Sequence, residues 1–407
     1  MNQVQMTSAF DLFRQEYPGT RKWTYFDVAA RGLLSRGVRK AMDKYLDHRM
    51  DDGADKAWMF SMGEKARERF AALIGASADE VALTKNVTEG INAFACAVDW
   101  KQGDNVVICT ELEHPANIYP WYNLARQRGI EVKTVAADNG RVSLERMSAA
   151  MDARTRVVSV SDASFSPGFR APVKALGQLC RRAGALLLVD AAQTVGVLHT
   201  DVDAMQVDCL SVATQKGLLG MYGMGFLYVR RQIAEQMQPS YISRMGIQLE
   251  ETHEAAIGDP SRFKFASGAR RFDVGNCNFI GAIAVAQSIA EITALGSLAI
   301  ENHVCSLAGR LAEGLSELGL PVFGGADARD RAHIVAVGSN LSDQHDSTDN
   351  VVLRRLHEAL LARKVRHTIR RGVVRLSLHA YNNADDVDEA ISIARDFLKT
   401  DQCEPKT

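Results

Sequence analysis

The sequence predicts an α/β protein with a mostly parallel central sheet, followed by a smaller C-terminal α+β domain, and three observations carry that expectation. Between about 84 and 230, short apolar runs of strand length alternate with longer stretches of helical period, which is the rhythm of βα units. The runs NVVIC and LLLVD are almost continuously apolar, as strands covered on both faces are. Near residue 282 the pattern changes: helical stretches at 282–295 and 307–318 give way to mixed short strands and helices as far as Leu398.

Taken in order, the first 30 or so residues contain WTYFDVAARG, too short for a domain and read as an arm packed against a neighbour. Strands are expected at 105–110, 157–161, 185–190, 208–214 and 225–229. The chain of 407 residues is too long for one ordinary core and predicts roughly two or three domains of about 100 to 200 residues. The expected division is an arm over 1–30 that belongs to the small domain, a large domain over 31–281 and a small domain over 282–407.

Bulk composition narrows the function. With 46% hydrophobic and 24% charged residues the chain has ample apolar surface to bury. A formal charge of −1 offers no basic field for nucleic acid or anionic lipid, which leaves small-molecule work. The seven cysteines, at 96, 109, 180, 209, 277, 305 and 403, never stand in CxxC spacing, so neither a disulfide framework nor a metal site is expected. The scattered cysteines fit a reducing, cytoplasmic location; Asp11, Arg14 and Glu16 interrupt the first 21 residues, which predicts no signal peptide, and no stretch approaches the roughly 18 apolar residues of a membrane helix, which predicts no membrane partner.

In an open α/β sheet ligands sit beyond the carboxyl ends of the strands, and the residues there are polar and reactive. His114, Asp162, Ser164, Asp190, Gln193, Thr214, Gln215 and Lys216 all follow expected strands. Asp190 closes a strongly apolar run, where an unpaired carboxylate is costly. Helix capping is the plain alternative, but a protonated pyridine nitrogen is the partner that also gives chemistry. Alone, Lys216 reads as an ordinary loop lysine; paired with Asp190 it reads as the Schiff-base lysine of pyridoxal 5'-phosphate, with burial freeing part of its amine. In KNVTEGIN, Asn86 and Glu89 mark a helix start, where backbone donors and the Thr88 hydroxyl suit a phosphate. Thr214 and Gln215 are further candidates for phosphate. His114 is expected to stack on a planar cofactor, and Arg375, a single charge in an apolar strand, suits a substrate carboxylate.

With these residues in view, the chain resembles the class V aminotransferases, a family of fold-type I pyridoxal phosphate enzymes that includes cysteine desulfurases, C-S lyases and isopenicillin epimerase-like members. The likeness rests on YFDVAARG (25–32), TEGIN (88–92), EHPAN (113–117), VDAAQTVG (189–196), QKGLLGMYGMGFLYV (215–229), RRFDVGNCN (270–278) and RLSLHAYNN (375–383). It implies that Lys216 carries the cofactor, Asp190 meets the ring nitrogen, Gln193 the ring hydroxyl, His114 the ring face and Thr88 the phosphate. It further implies a homodimer in which Asn276 reaches the partner's phosphate, and an amino-acid substrate held by Arg375. Three positions depart from the pattern. Gln215 stands where desulfurase-like members have His, no cysteine lies in 365–374, and Phe165 replaces an Asn. The second departure argues against a persulfide formed on the enzyme. Arg31 and Arg170 are expected to line the substrate pocket.

The expected reaction starts with imine exchange to an external aldimine of an L-amino acid, followed by removal of the Cα proton by Lys216. β-Elimination of the C-S lyase kind is placed first, with transamination next and epimerisation as a further alternative. A pyridoxal-fold protein that only binds is the competitor of a different class, but a scaffold needs neither Lys216 nor Asp190.

Overall fold

The computed structural model describes residues 8–248, 259, 261–326 and 328–403. Its centre is a seven-stranded sheet of β1 (Val81–Thr84), β2 (Asn105–Ile108), β3 (Glu131–Thr134), β4 (Thr155–Ser161), β5 (Leu186–Asp190), β6 (Cys209–Ala213) and β7 (Gly225–Val229). The order across the sheet is β1-β7-β6-β5-β4-β2-β3. All neighbouring pairs are parallel except those made by β7, which runs against both β6 and β1. The five strands expected from sequence are present. The two that sequence patterning passes over, β1 and β3, are the two edges; β3 reads EVKT, with half-exposed Val132 and Lys133 and no continuous apolar run, whereas β1 is a short, mostly buried VALT.

Period-two alternation explains why both faces are covered. Val107, Leu187, Val189, Leu210 and Val212 point into one core, and Val106, Ile108, Leu188, Cys209 and Leu227 into the other. The first face is capped by α1 (Lys56–Leu73), α2 (Val173–Ala183) and the first part of α3 (Phe279–Leu295), through Phe70, Leu176 and Val285. The second face receives Ile91 and Phe94 from the helix Val87–Ala97, together with Trp121 and Phe272.

A third core gathers the arm with the C-terminal part of the chain. Phe13, Tyr17, Tyr25 and Phe26 pack with Leu307 and Leu311 of α4 (Ser297–Glu317) and with Val335, Leu376 and Tyr381. A second, antiparallel sheet lies here, with β8 (Ile334–Val337), β9 (Thr368–Arg370) and β10 (Val373–Ser377) in the order β8-β10-β9. The arm joins it through Thr24–Tyr25 alongside Val365–Arg366 and through a bridge from Asp27 to Ser377. Arg14 adds a clasp, donating to Asp386 and to the Tyr381 carbonyl. Helix α3 spans two cores: Ala282, Val285 and Ile289 lie on the large sheet, and Ile292 lies in the third core. Among the described residues no single helix is long and apolar enough to cross a membrane.

Candidate active site

The carboxyl ends of the parallel strands bring the reactive residues together: Lys216 lies within electrostatic reach of Asp190, His114 and Arg375, the last carried on β10. Asp190 is the last residue of β5, is only 4% exposed, and accepts a hydrogen bond from the Ala192 N–H at 2.9 Å. Burial pushes its carboxyl above the usual range, opposed by that N–H and by the charge of Lys216. Lys216 follows β6 and is partly exposed. Atoms crowded round its amine desolvate it and bring its pKa down to about 8; Asp190 resists that fall, while Arg375 and Arg370 add to it. A useful fraction of the amine is therefore uncharged near neutral pH.

His114 opens the 3-10 turn Pro115–Asn117, its Nδ1 accepting from the Ala116 N–H at 3.1 Å. The edge of the ring meets Phe165 at 5.6 Å between centroids and 82° between planes. Desolvation, then the charges of Lys216 and neighbouring cations, bring it down to about 4, so the imidazole is neutral at ordinary pH. Gln193 is buried; its Nε2 donates to the Ala29 carbonyl at 3.2 Å and its Oε1 has no partner among the described residues. A buried carboxylate with one backbone donor and a buried amide oxygen left unmatched are groups that pyridoxal phosphate would complete through its ring nitrogen and hydroxyl.

The phosphate candidates fall out differently. Asn86 caps the helix Val87–Ala97 by accepting from the Glu89 N–H at 2.9 Å, and Glu89 reaches back to the Lys85 N–H at 2.6 Å. Thr88 sits half-buried in the first turn, where the dipole and backbone donors favour an anion. Thr214 is fully buried and its hydroxyl lies 2.5 Å from the Met221 carbonyl and 3.2 Å from that of Met224, so its proton is engaged inside its own loop. Gln215 is half-buried and its carbonyl accepts from Gly32. Asn276 is exposed and shares a cleft with Asn86, Glu89 and Tyr241.

On the substrate side, Arg375 is 1% exposed. It donates to the Phe165 carbonyl at 2.9 Å and to the Thr368 hydroxyl at 3.2 Å, stands 3.9 Å from Asp27, and its Nε has no partner among the described residues. Burial lowers it to about 10, against the pull of Asp27, so it remains a cation at neutral pH. Arg31 is exposed, with the Tyr25 hydroxyl on its carbonyl. Arg170 goes elsewhere. It pairs with Glu301 at 2.8 Å and meets the Cys305 sulfur at 3.2 Å, in a separate cleft beside Asp162 and Leu198.

Several residues in the site lacked a sequence signal. Asp27 and Thr368 flank Arg375, with the Thr368 hydroxyl 3.2 Å from Asp27. Arg370, on β9, pairs with Asp346, and Arg371 donates to the Glu111 carbonyl, so this segment closes over the loop that carries His114. Glu113 is buried behind His114 and accepts from Ser161 N–H and hydroxyl, each at 2.6 Å, and from Asn117 at 2.7 Å. Burial pushes it up to about 7, opposed by Ser161 and Asn117 and reinforced by the charge of Asp190. In sequence it is marked by its place beside His114 after the NVVICT strand and in EHPAN.

Comparison with known proteins gives a consistent result. The family model described as aminotransferase class-V matches residues 24–390. A probable cysteine desulfurase of Pyrococcus abyssi is 29% identical over 405 residues, covering 95% of this chain and 97% of its own length. A cysteine desulfurase of Serratia proteamaculans is 30% identical over 415 residues, covering 95% and 96%. Among solved structures, the apo cysteine desulfurase from Thermococcus onnurineus NA1 superposes with a TM-score of 0.81 at 26% identity, over 96% of this chain and 98% of that one. The cystine C-S lyase C-DES, in complex with its product cysteine persulfide, shares the fold with a TM-score of 0.80 at 20% identity, over 94% and 99%.

Proposed function

The chain belongs to the class-V aminotransferase family, and from that membership we propose a pyridoxal phosphate enzyme that breaks the Cβ–S bond of L-cysteine or a closely related L-amino acid by β-elimination. The observation that carries this is the pairing of a lysine lowered to about 8 with the buried Asp190 at adjacent strand ends. Names of relatives at 29% and 30% identity support the sulfur substrate.

In this proposal Lys216 is the attachment point of the cofactor, Asp190 faces its ring nitrogen, Gln193 its hydroxyl and His114 its ring. Thr88 and the first turn of its helix hold the phosphate. Pyridoxal phosphate, when bound, supplies an electron sink for the pair left as a bond to Cα breaks. Arg375 takes the α-carboxylate and fixes the substrate so that its Cα–H bond points to Lys216. The released amine of Lys216 then accepts the Cα proton, a task suited to a base near neutrality. His114, neutral, adds no charge to the ring face. Loss of the sulfur group from Cβ completes the elimination, and because no cysteine lies between Cys305 and Cys403, the sulfur leaves without a thiol from the 365–374 segment to receive it.

We further propose that two copies pair, with Asn276 of each reaching the phosphate end of the other's site. Exposed Tyr222 (61%), Val274 (44%), Tyr241 (43%) and Ile242 (41%) near that segment support it. A cytoplasmic location, and division into an arm (1–30), a large domain (31–281) and a small domain (282–407), belong to the same proposal. Support for the division comes from the arm sharing its core with Leu311 and Leu376.

The experiment is an absorption spectrum of wild type and Lys216→Ala with pyridoxal phosphate, then with a panel of L-amino acids and product analysis. A visible band in wild type alone, shifted by cysteine with pyruvate, ammonia and sulfide formed, is expected. Transfer of the amino group to a keto acid would move the assignment to a transaminase, and a wild type without the band would end the proposal.

A further inference from the structure

Three consecutive carbonyls in the turn that presents Lys216 are held by three different parts of the chain. The Gln215 carbonyl accepts from the Gly32 N–H at 2.8 Å, the Lys216 carbonyl from the Leu219 N–H at 3.0 Å, and the Gly217 carbonyl is 2.9 Å from Nε2 of His379. The third partner is a side chain, and it comes from the segment that continues β10 beyond Arg375.

The chemistry of that contact is fixed by its surroundings. The Ala380 N–H donates to Nδ1 of His379 at 2.7 Å, so Nδ1 carries no proton and Nε2–H is the donor to Gly217. His379 is fully buried, stacked on Tyr381 at 5.2 Å and 19°, and burial brings its pKa to about 4, which keeps it neutral at ordinary pH. Its own N–H donates to Asn382, which in turn donates to the Tyr25 carbonyl. The 195–196 backbone, with which His379 also interacts at Gly196, packs directly on the turn: a Cβ on Gly217 would lie 2.6 Å from the Val195 carbonyl, and one on Gly196 only 2.3 Å from the Gly217 carbonyl.

We propose that His379 is a positioning residue for Lys216, fixing the lysine turn against the 195–196 backbone and linking it through three intervening residues to the carboxylate-binding Arg375. The proposal rests on Lys216 carrying the cofactor. A burial role alone would need the ring's bulk and not its Nε2–H. The neutral donor also explains why a histidine stands in a site too dry to let it ionise.

The test compares holoenzyme of wild type, His379→Gln, His379→Asn and His379→Leu. Glutamine carries an amide N–H to about the position of Nε2; asparagine stops near Nδ1, and leucine keeps bulk without a donor. Measured are the pH midpoint of the cofactor's visible band, kcat and KM for L-cysteine, and the thermal midpoint. For Asn and Leu we expect kcat to fall about 10- to 100-fold, as small misplacements of a reacting group do, with KM within about twofold. Their band midpoint should move by about half a pH unit or more, and Gln should stay close to wild type in both. Variants with unchanged band and kcat would overturn the proposal, as would Gln, Asn and Leu being equally impaired in step with lost thermal stability. Absence of the band in wild type would refute the cofactor assignment instead, so the two failures are distinguishable.

Discussion

At the scale of single residues, burial sets the chemistry of Lys216 and Asp190, and it does so in opposite directions because one is charged when protonated and the other when not. A lysine must lose its proton before it attacks an aldehyde. Uptake of pyridoxal phosphate by cofactor-free protein is therefore expected to accelerate as pH rises through about 8 and to level off above it; a surface lysine would keep accelerating toward its ordinary value of about 10.4. Stopped-flow growth of the visible band across that range checks it. These two residues were legible in sequence because each closes or follows an apolar strand. The link between Asp27 and the pair Thr368 and Arg375 was not, since it joins positions far apart in the chain. Nor did sequence show that the Thr214 hydroxyl faces the Met221 carbonyl, a contact made inside one loop and governed by its fold.

At the scale of elements, the same logic separates central strands from edges. Strands β4, β5 and β6 announce themselves because both faces are apolar, whereas β3 reads EVKT with its side chains half or fully exposed. The turn after β6 depends on a neighbouring backbone approach that composition does not reveal. Gly196 has a φ of +92° and no space for a side chain beside Gly217. Gly196→Ala is expected to cost about 1–3 kcal/mol from the backbone conformation alone, to lower the thermal midpoint, and to reduce the fraction of protein that retains cofactor on dialysis. Thermal unfolding and the visible band, read on one sample, check both effects.

For the whole molecule, stability is shared among three cores tied by a few buried charges. Arg67 on α1 meets Asp273 at 2.8 Å while the same carboxylate accepts from the Leu83 N–H at 2.9 Å, so helix, edge strand and the 270–278 segment converge on one acid. Asp273→Ala would leave the buried Arg67 guanidinium, among the described residues, with Glu64 at 3.2 Å as its remaining charge partner. The expected loss is about 3 kcal/mol, toward the lower end for a broken buried pair, measured by urea unfolding at neutral pH. The division of labour between sheet and C-terminal part was visible in the change of pattern near 282, but α3 bridges two cores because its apolar residues run round most of the helix. Gly32 and His379 hold the Gln215 and Gly217 carbonyls, on either side of Lys216, from sequence positions 347 residues apart. As the protein emerges from a ribosome, the seven-stranded sheet can be complete at Val229 while its lysine turn still lacks the His379 contact, which forms only after the segment beyond β10 has been made.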